Sequence, residues 1–269
     1  MGTGMGVLPD FRATTFGFTA AHRTFTSTHP VLFTDEVPIV GEDRFLTMEA
    51  MARITLFKGV QLQAHVPYNV YSQKENNVFE QRSGLGDIRA GLNYQFSGGE
   101  SLRYQIAFGA GVKLPTGRWN EPEVNVNLMP GTGSTDFYGA FNALLRLRDW
   151  GLMLQSSGSR TGENKEHFRF GNHAEGMIRA MRWLTLTEEL SVIAHVGYSA
   201  SFLDPNLLRS EEVELTGGML SQFRPGIDVY YSNWGVQSQV GIPLKQNLAE
   251  GHVVQESWMS FSLIYFITK

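Results

Sequence analysis

From Leu102 to Leu114 the chain alternates without a break. One parity reads Leu102, Tyr104, Ile106, Phe108, Ala110, Val112, Leu114; the other reads Arg103, Gln105, Ala107, Gly109, Gly111, Lys113. Period 2 puts these two sets on opposite faces of a β-strand, one apolar and one polar. The run is thirteen residues long. A strand in a globular domain averages about 5–6 residues, whereas one that crosses an outer membrane needs about 9–11. No feature of the chain restricts its fold more.

The pattern recurs. Leu46, Met48, Ala50, Ala52, Ile54 and Leu56 oppose Thr47, Glu49, Met51, Arg53 and Thr55. After Phe57-Lys58-Gly59, the set Val60, Leu62, Ala64, Val66, Tyr68, Val70 opposes Gln61, Gln63, His65, Pro67, Asn69. Ile88 to Phe96 and Leu190 to Phe202 repeat the arrangement. A further strand is expected to begin near His167.

The connections alternate in length. Short ones are Phe57-Lys58-Gly59, Ser97-Gly98-Gly99-Glu100, Arg148-Asp149-Trp150-Gly151, the stretch from Arg182 to Glu188, and Ser232-Asn233-Trp234-Gly235. Their Gly and Asn residues are expected to supply the positive φ of hairpin turns. Long ones are expected near 28–43, 71–83, 116–133, 160–167, 202–213 and 245–253. This count gives twelve strands with both termini on the short-turn side, the plan of outer-membrane barrels with short periplasmic turns and longer external loops. The expectation is an all-β, up-and-down antiparallel transmembrane barrel spanning residues 12–269, preceded by an N-terminal periplasmic segment, residues 1–11.

Composition narrows the alternatives. No stretch approaches 18 apolar residues, so helical membrane spans are excluded. Charged residues are 18% and the net charge is -4, which leaves no basic footprint for nucleic acid. The count of Cys is 0, so disulfides, thiolate metal sites and a Cys nucleophile are ruled out. Met1 is followed by Gly-Thr-Gly, so export implies a signal removed from this numbering. The competing fold is a soluble β-sandwich or lipocalin-like barrel with its apolar face inward. It accounts for alternation but poorly for strands of this length or for the short-long rhythm.

Charge placement orients the faces. An Arg or Lys at the midplane of the lipid face costs about 2–4 kcal/mol, and Arg53, Arg89, Arg103 and Lys113 all oppose the apolar parity. Phe57, Phe96, Trp150, Trp183 and Trp234 lie beside short turns, where an interfacial girdle belongs.

Five segments carry a family resemblance: Ser83-Gly84-Leu85-Gly86-Asp87, Lys113-Leu114-Pro115-Thr116-Gly117, Gly131-Thr132-Gly133-Ser134-Thr135-Asp136-Phe137, Met5-Gly6-Val7-Leu8-Pro9-Asp10-Phe11 and Gly241-Ile242-Pro243-Leu244-Lys245-Gln246-Asn247. Together they resemble the outer-membrane "transporter" family named for a putative meta-pathway of phenol degradation. The resemblance implies a twelve-stranded barrel in the bacterial outer membrane that moves small hydrophobic or aromatic compounds. Many relatives carry a Cys-rich stretch before the amino-terminal motif. This chain has none, so a metal or redox role tied to those cysteines does not carry over.

Other chemistries fit less well. The glycines do not form the G-x-x-x-x-G-K-[ST] of a phosphate loop. His167, His173 and Glu175 share a parity, but about 3.3 Å per residue puts the two histidines roughly 20 Å apart, so only His173 and Glu175 are neighbours for a metal. His195 has Ser191, Ser199 and Ser201 on its face, yet no nucleophile elbow appears, and the chain is not expected to be an enzyme or to need a cofactor.

The polar face is the candidate site. Its expected lumen-lining residues are Glu49, Arg53, His65, Asp87, Arg89, Arg103, Lys113, Asp136, Arg146, Arg169, Glu175, Arg179, Arg224 and Asp228. Bases outnumber acids here, so the acidic surplus is assigned to loops, at Asp35, Glu36, Glu42, Glu211, Glu212 and Glu214. Two readings follow: a basic constriction favouring anions, or cross-strand ion pairs that brace a narrow barrel. The functional expectation is a channel for small molecules through a polar lumen, with selectivity from lumen side chains and long loops such as Trp119 to Pro130. The competing expectation is a plugged barrel that anchors an outer-membrane or periplasmic protein partner. Membrane lipid is the expected surrounding in both.

Overall fold

The computed structural model describes residues 14–29, 39–75, 78–120 and 126–267. The expected N-terminal segment 1–11 and the loop acids Asp35 and Glu36 lie outside the described residues. Twelve antiparallel strands form one closed barrel. They are β1 (Thr14–His29), β2 (Ile39–Phe57), β3 (Val60–Glu75), β4 (Val78–Leu85 and Arg89–Gly98), β5 (Leu102–Lys113), β6 (Asp136–Leu147), β7 (Trp150–Arg160), β8 (His173–Thr185), β9 (Leu190–Leu203), β10 (Gly218–Tyr231), β11 (Trp234–Leu248) and β12 (Val253–Gln255 and Trp258–Ile267). Each pairs with its sequence neighbours, and β1 pairs with β12 from Thr14↔Ile267 to His22↔Met259. Closure satisfies the backbone of every strand inside the sheet, which lipid demands. No described helix is long and apolar enough to cross a membrane; the strands do so.

The faces follow the alternation. Leu62, Tyr94, Phe108, Leu154, Ile178, Val196, Tyr198, Phe261 and Leu263 are exposed on the outside. Gln61, Gln63, His65, Asn93, Arg179, His195 and Ser262 are buried on the inside. Phe57, Phe96, Trp150 and Trp234 are exposed beside the short turns as expected of a girdle. Trp183 is not among them. It shares the parity of Arg179 and Met181 and is 5% exposed inside the barrel.

Several boundaries differ from the sequence reading. The expected long connection at 71–83 is instead a hairpin, with β3 paired to β4 as far as Glu75↔Val78. The loop expected at 28–43 is also shorter, because β2 starts at Ile39, so Glu42 belongs to β2 and pairs with Thr26 of β1. The strand expected near His167 begins at His173. His167 has φ 59, and Phe168–Arg169 joins Leu207–Leu208 and Glu211–Glu212 in a separate small sheet. In the 147–150 and 231–234 turns the positive φ falls on Arg148 and Ser232, not on glycine or asparagine. Gly151 and Gly235 are released for another purpose: a Cβ on Gly151 would stand 2.4 Å from the Trp183 ring, and one on Gly235 would stand 2.8 Å from the Tyr230 ring.

Candidate functional site

The three central motifs of the sequence meet at one point of the lumen, on the long-loop side. β4 breaks at residues 86–88, β5 ends at Lys113 and β6 starts at Asp136, so Asp87, Lys113 and Asp136 face one another. Lys113 Nζ lies 3.1 Å from Asp87 and 2.6 Å from Asp136. Asp87 also accepts hydrogen bonds from the backbone N–H groups of Gly117 (3.0 Å) and Thr132 (3.0 Å) and from the Thr132 hydroxyl (2.6 Å). Asp136 accepts the Ser134 hydroxyl at 2.8 Å and the Gly162 N–H at 3.0 Å. Both ends of the connection from β5 to β6 are thereby tied down onto the lumen, and Leu128 and Met129 are buried. Its backbone approach explains the glycines, since a Cβ on Gly131 would come within 2.6 Å of the Gly117 backbone. Outside the lumen the same connection is held by Glu166, which accepts from the Trp119 indole and the Asn120 amide, each at 2.6 Å.

Deeper in, Glu49 on β2 binds His65 (2.9 Å) and Arg89. Asn93 donates to Gln63 at 2.8 Å beside them. On the opposite arc Arg224 pairs with Glu175, and its guanidinium stands 4.8 Å from the centre of the Trp258 ring. Arg23 stands 5.2 Å from the same ring. His195 Nε2 lies 3.3 Å from Asp228. Arg179 donates to Gln239 at 3.2 Å. Buried ion pairs of this kind add little net stability, because desolvation offsets their attraction.

Toward the short turns of β6 to β12 the inward face turns apolar, whereas on β2 to β4 it stays polar at Arg53, Gln61 and Gln95. Leu144, Met153, Met181, Trp183, Ile193, Tyr230, Ile264 and Phe266 form a buried cluster, with Met51 packed against it. All but Met51 lie close to short turns or to the end of β12, so the cluster forms an apolar floor along the short-turn end of that arc. Arg146 stacks on its rim, 4.4 Å from the Trp183 ring centre.

The structure thus gathers most of the expected lumen residues. Glu49, His65 and Arg89 form one cluster; Asp87, Lys113 and Asp136 form a second; Glu175 and Arg224 pair, as do His195 and Asp228. Arg53 and Arg179 are buried inside. Arg103 and Arg146 are cross-strand partners at the short-turn rim, and Arg103 is exposed. Arg169 is not on a barrel strand at all. His167 likewise leaves His173 and Glu175, and pairs with Glu163 in its own loop. Among the described residues no group of three or more His, Asp or Glu is placed to hold a metal. The sequence reading missed Arg23, Trp258 and the apolar floor. Their signal was present in parity, since Ile264 and Phe266 share a face with Ser260 and Ser262, but inward was equated with polar.

Comparison with known proteins agrees with this architecture. An outer membrane channel from Pseudomonas putida F1 superposes with a TM-score of 0.73 at 12% identity, covering 97% of this chain and 100% of that one. The β domain of the Bordetella autotransporter BrkA gives 0.49 at 9% identity, covering 95% and 100%. LpxR from Salmonella typhimurium gives 0.48 at 12% identity, covering 94% and 100%. At these identities the likeness is one of fold, and only the first is close enough to carry weight. No curated protein matches the chain. Residues 46–202 match the family model described as "Putative MetA-pathway of phenol degradation". The chain belongs to that family, as a twelve-stranded β-barrel of the bacterial outer membrane with the build of a transporter.

Proposed function

We propose that the barrel passes small hydrophobic or aromatic compounds across the outer membrane, passively and without a covalent step or cofactor. One observation carries this reading: the lumen joins a polar ion-paired band to a buried apolar cluster beside the short turns of β6 to β12. An apolar constriction stops hydrated ions by dewetting. The same surface favours an apolar solute by roughly 25 cal/mol for each Å² taken from water. The floor is built of Met, Leu, Ile and aromatic side chains, and methionine in particular re-packs readily around a guest. The family description points to aromatic metabolism and supports the same class.

A second reading rests on the bracing. Ion pairs link most lumen charges across strands, as they would in a plugged barrel serving as an anchor for a protein partner. Two measurements on the purified barrel test the transport reading, and the second, with extraction of the barrel from its membrane, separates it from the anchor. In planar bilayers with anion and cation gradients, transport of apolar compounds predicts little ion current. In vesicles with a lipopolysaccharide outer leaflet, it predicts faster entry of benzyl alcohol than in protein-free vesicles. Equal entry rates, with a protein recovered on gentle extraction, support the anchor.

A further inference from the structure

Arg53 sits on the inner face of β2 and is 7% exposed. A guanidinium stays protonated in a protein, and a buried charge is costly unless an opposite charge or a full set of hydrogen bonds meets it. Arg53 has neither among the described residues. The lumen carboxylates are engaged elsewhere: Glu49 with His65 and Arg89, Asp87 and Asp136 with Lys113, Glu175 with Arg224, Asp228 with His195. The Arg53 Nε is enclosed and without a hydrogen-bond partner.

Its surroundings define what would meet it. The cross-strand neighbours of Arg53 are Thr15 on β1 and Gln63 on β3, both buried, neutral and polar. Thr15 is in turn paired with Phe266 of the apolar floor. Two residues before Arg53 on the same face comes Met51, which packs against that floor. A charged fork therefore stands at the edge of an apolar surface, with uncharged hydrogen-bonding groups between strands.

We propose that Arg53 receives the carboxylate of an amphiphilic acid, an aromatic or short aliphatic carboxylic acid, whose apolar body lies over Met51 and Phe266. The assignment rests on the transport reading above and narrows its hydrophobic or aromatic compounds to those that carry one carboxylate, whose charge Arg53 meets at the edge of the apolar floor. Guanidinium and carboxylate match as a two-pronged pair, which neither a neutral alcohol nor chloride reproduces.

The test compares benzoate, benzyl alcohol and chloride on the purified full-length barrel. Each is titrated calorimetrically against the barrel in detergent, with empty micelles as the blank. Uptake of the two aromatics is also followed in lipopolysaccharide-containing vesicles. The wild type is expected to bind benzoate more tightly than benzyl alcohol. In Arg53→Met the benzoate-to-benzyl alcohol affinity ratio is expected to fall on the order of 10- to 100-fold, the worth of a charged hydrogen bond. Arg53→Lys, which keeps the charge without the fork, is expected to fall between. Folding is checked by heat-modifiable gel mobility. Should Arg53→Met fail to fold, the wild-type preference and Arg53→Lys still decide. Equal ratios in wild type and variants, or chloride binding as tightly as benzoate, overturn the assignment. Binding of benzoate that depends on Arg53, with no uptake of either aromatic, overturns the transport reading and leaves the site standing.

Discussion

Gly151 has no side chain where the Trp183 indole lies: a Cβ at that position would stand 2.4 Å from the ring. The two residues occupy inner positions on β7 and β8, and the glycine leaves the room in which the tryptophan joins the apolar floor. Overpacking a filled core costs about 1–3 kcal/mol. Gly151→Leu is therefore expected to lower barrel stability by roughly that amount. It should also shift Trp fluorescence to the red as the ring is displaced into water. Denaturant unfolding in detergent and emission spectra check both; an unaltered spectrum would show that the wall can yield without moving Trp183.

Removing the floor rather than crowding it has a different consequence. Met181 and Trp183 alternate with Arg182 on β8, and both point inward. The double variant Met181→Ala, Trp183→Ala is expected to raise single-channel conductance several-fold, because water and ions fill what the side chains leave. Large-to-small changes at such sites cost about 2–5 kcal/mol each, so the barrel is also expected to unfold at lower denaturant. A conductance equal to that of the wild type would place the ion barrier elsewhere.

Lys113 is the only cation within 4 Å of Asp87 or Asp136 among the described residues. Lys113→Met leaves two carboxylates facing each other without it. Breaking a buried ion pair from one side costs about 3–5 kcal/mol. The connection from β5 to β6 is expected to detach first, since Asp87 and Asp136 hold its backbone and that of Gly162. Limited proteolysis should then cut within residues 114–120 or 126–135 faster in the variant than in the wild type. Asp87→Asn combined with Lys113→Met removes the excess charge and should restore part of the protection.

Charge selectivity should depend on pairing rather than on a count of bases. Arg89 neutralises Glu49 inside the barrel, whereas Arg103 is exposed at the rim. Arg89→Ser leaves Glu49 without its guanidinium partner and is expected to move the residual current toward cations. Arg103→Ser alone should alter it less, because solvent and salt screen an exposed charge. Reversal potentials in a salt gradient measure both. Equal shifts from the two variants would contradict the pairing argument.

Alternation made the barrel legible. In β5 the set Leu102 to Leu114 and its opposing set state the two faces directly, because side-chain direction in a strand depends only on sequence parity. The same holds for Arg53, Arg89 and Lys113, each of which lies inside. Strand ends were less legible. β3 and β4 run on past the expected loop at 71–83, since strands beyond the bilayer need no apolar face and lose the alternating signal. Arg169 shares the parity of His173, yet the chain leaves the barrel wall at Gly171 and Asn172, where parity no longer has meaning.

What sequence alone determined is thus local: twelve crossings, which residues face lipid, and which ends carry short turns. It could not say that Trp183, Ile264 and Phe266 would share one floor, or that Asp87, Lys113 and Asp136 would converge. Those residues are far apart in the chain, and their meeting depends on how the strands are staggered when the sheet closes. Parity fixes a direction for each side chain; only closure fixes what it meets.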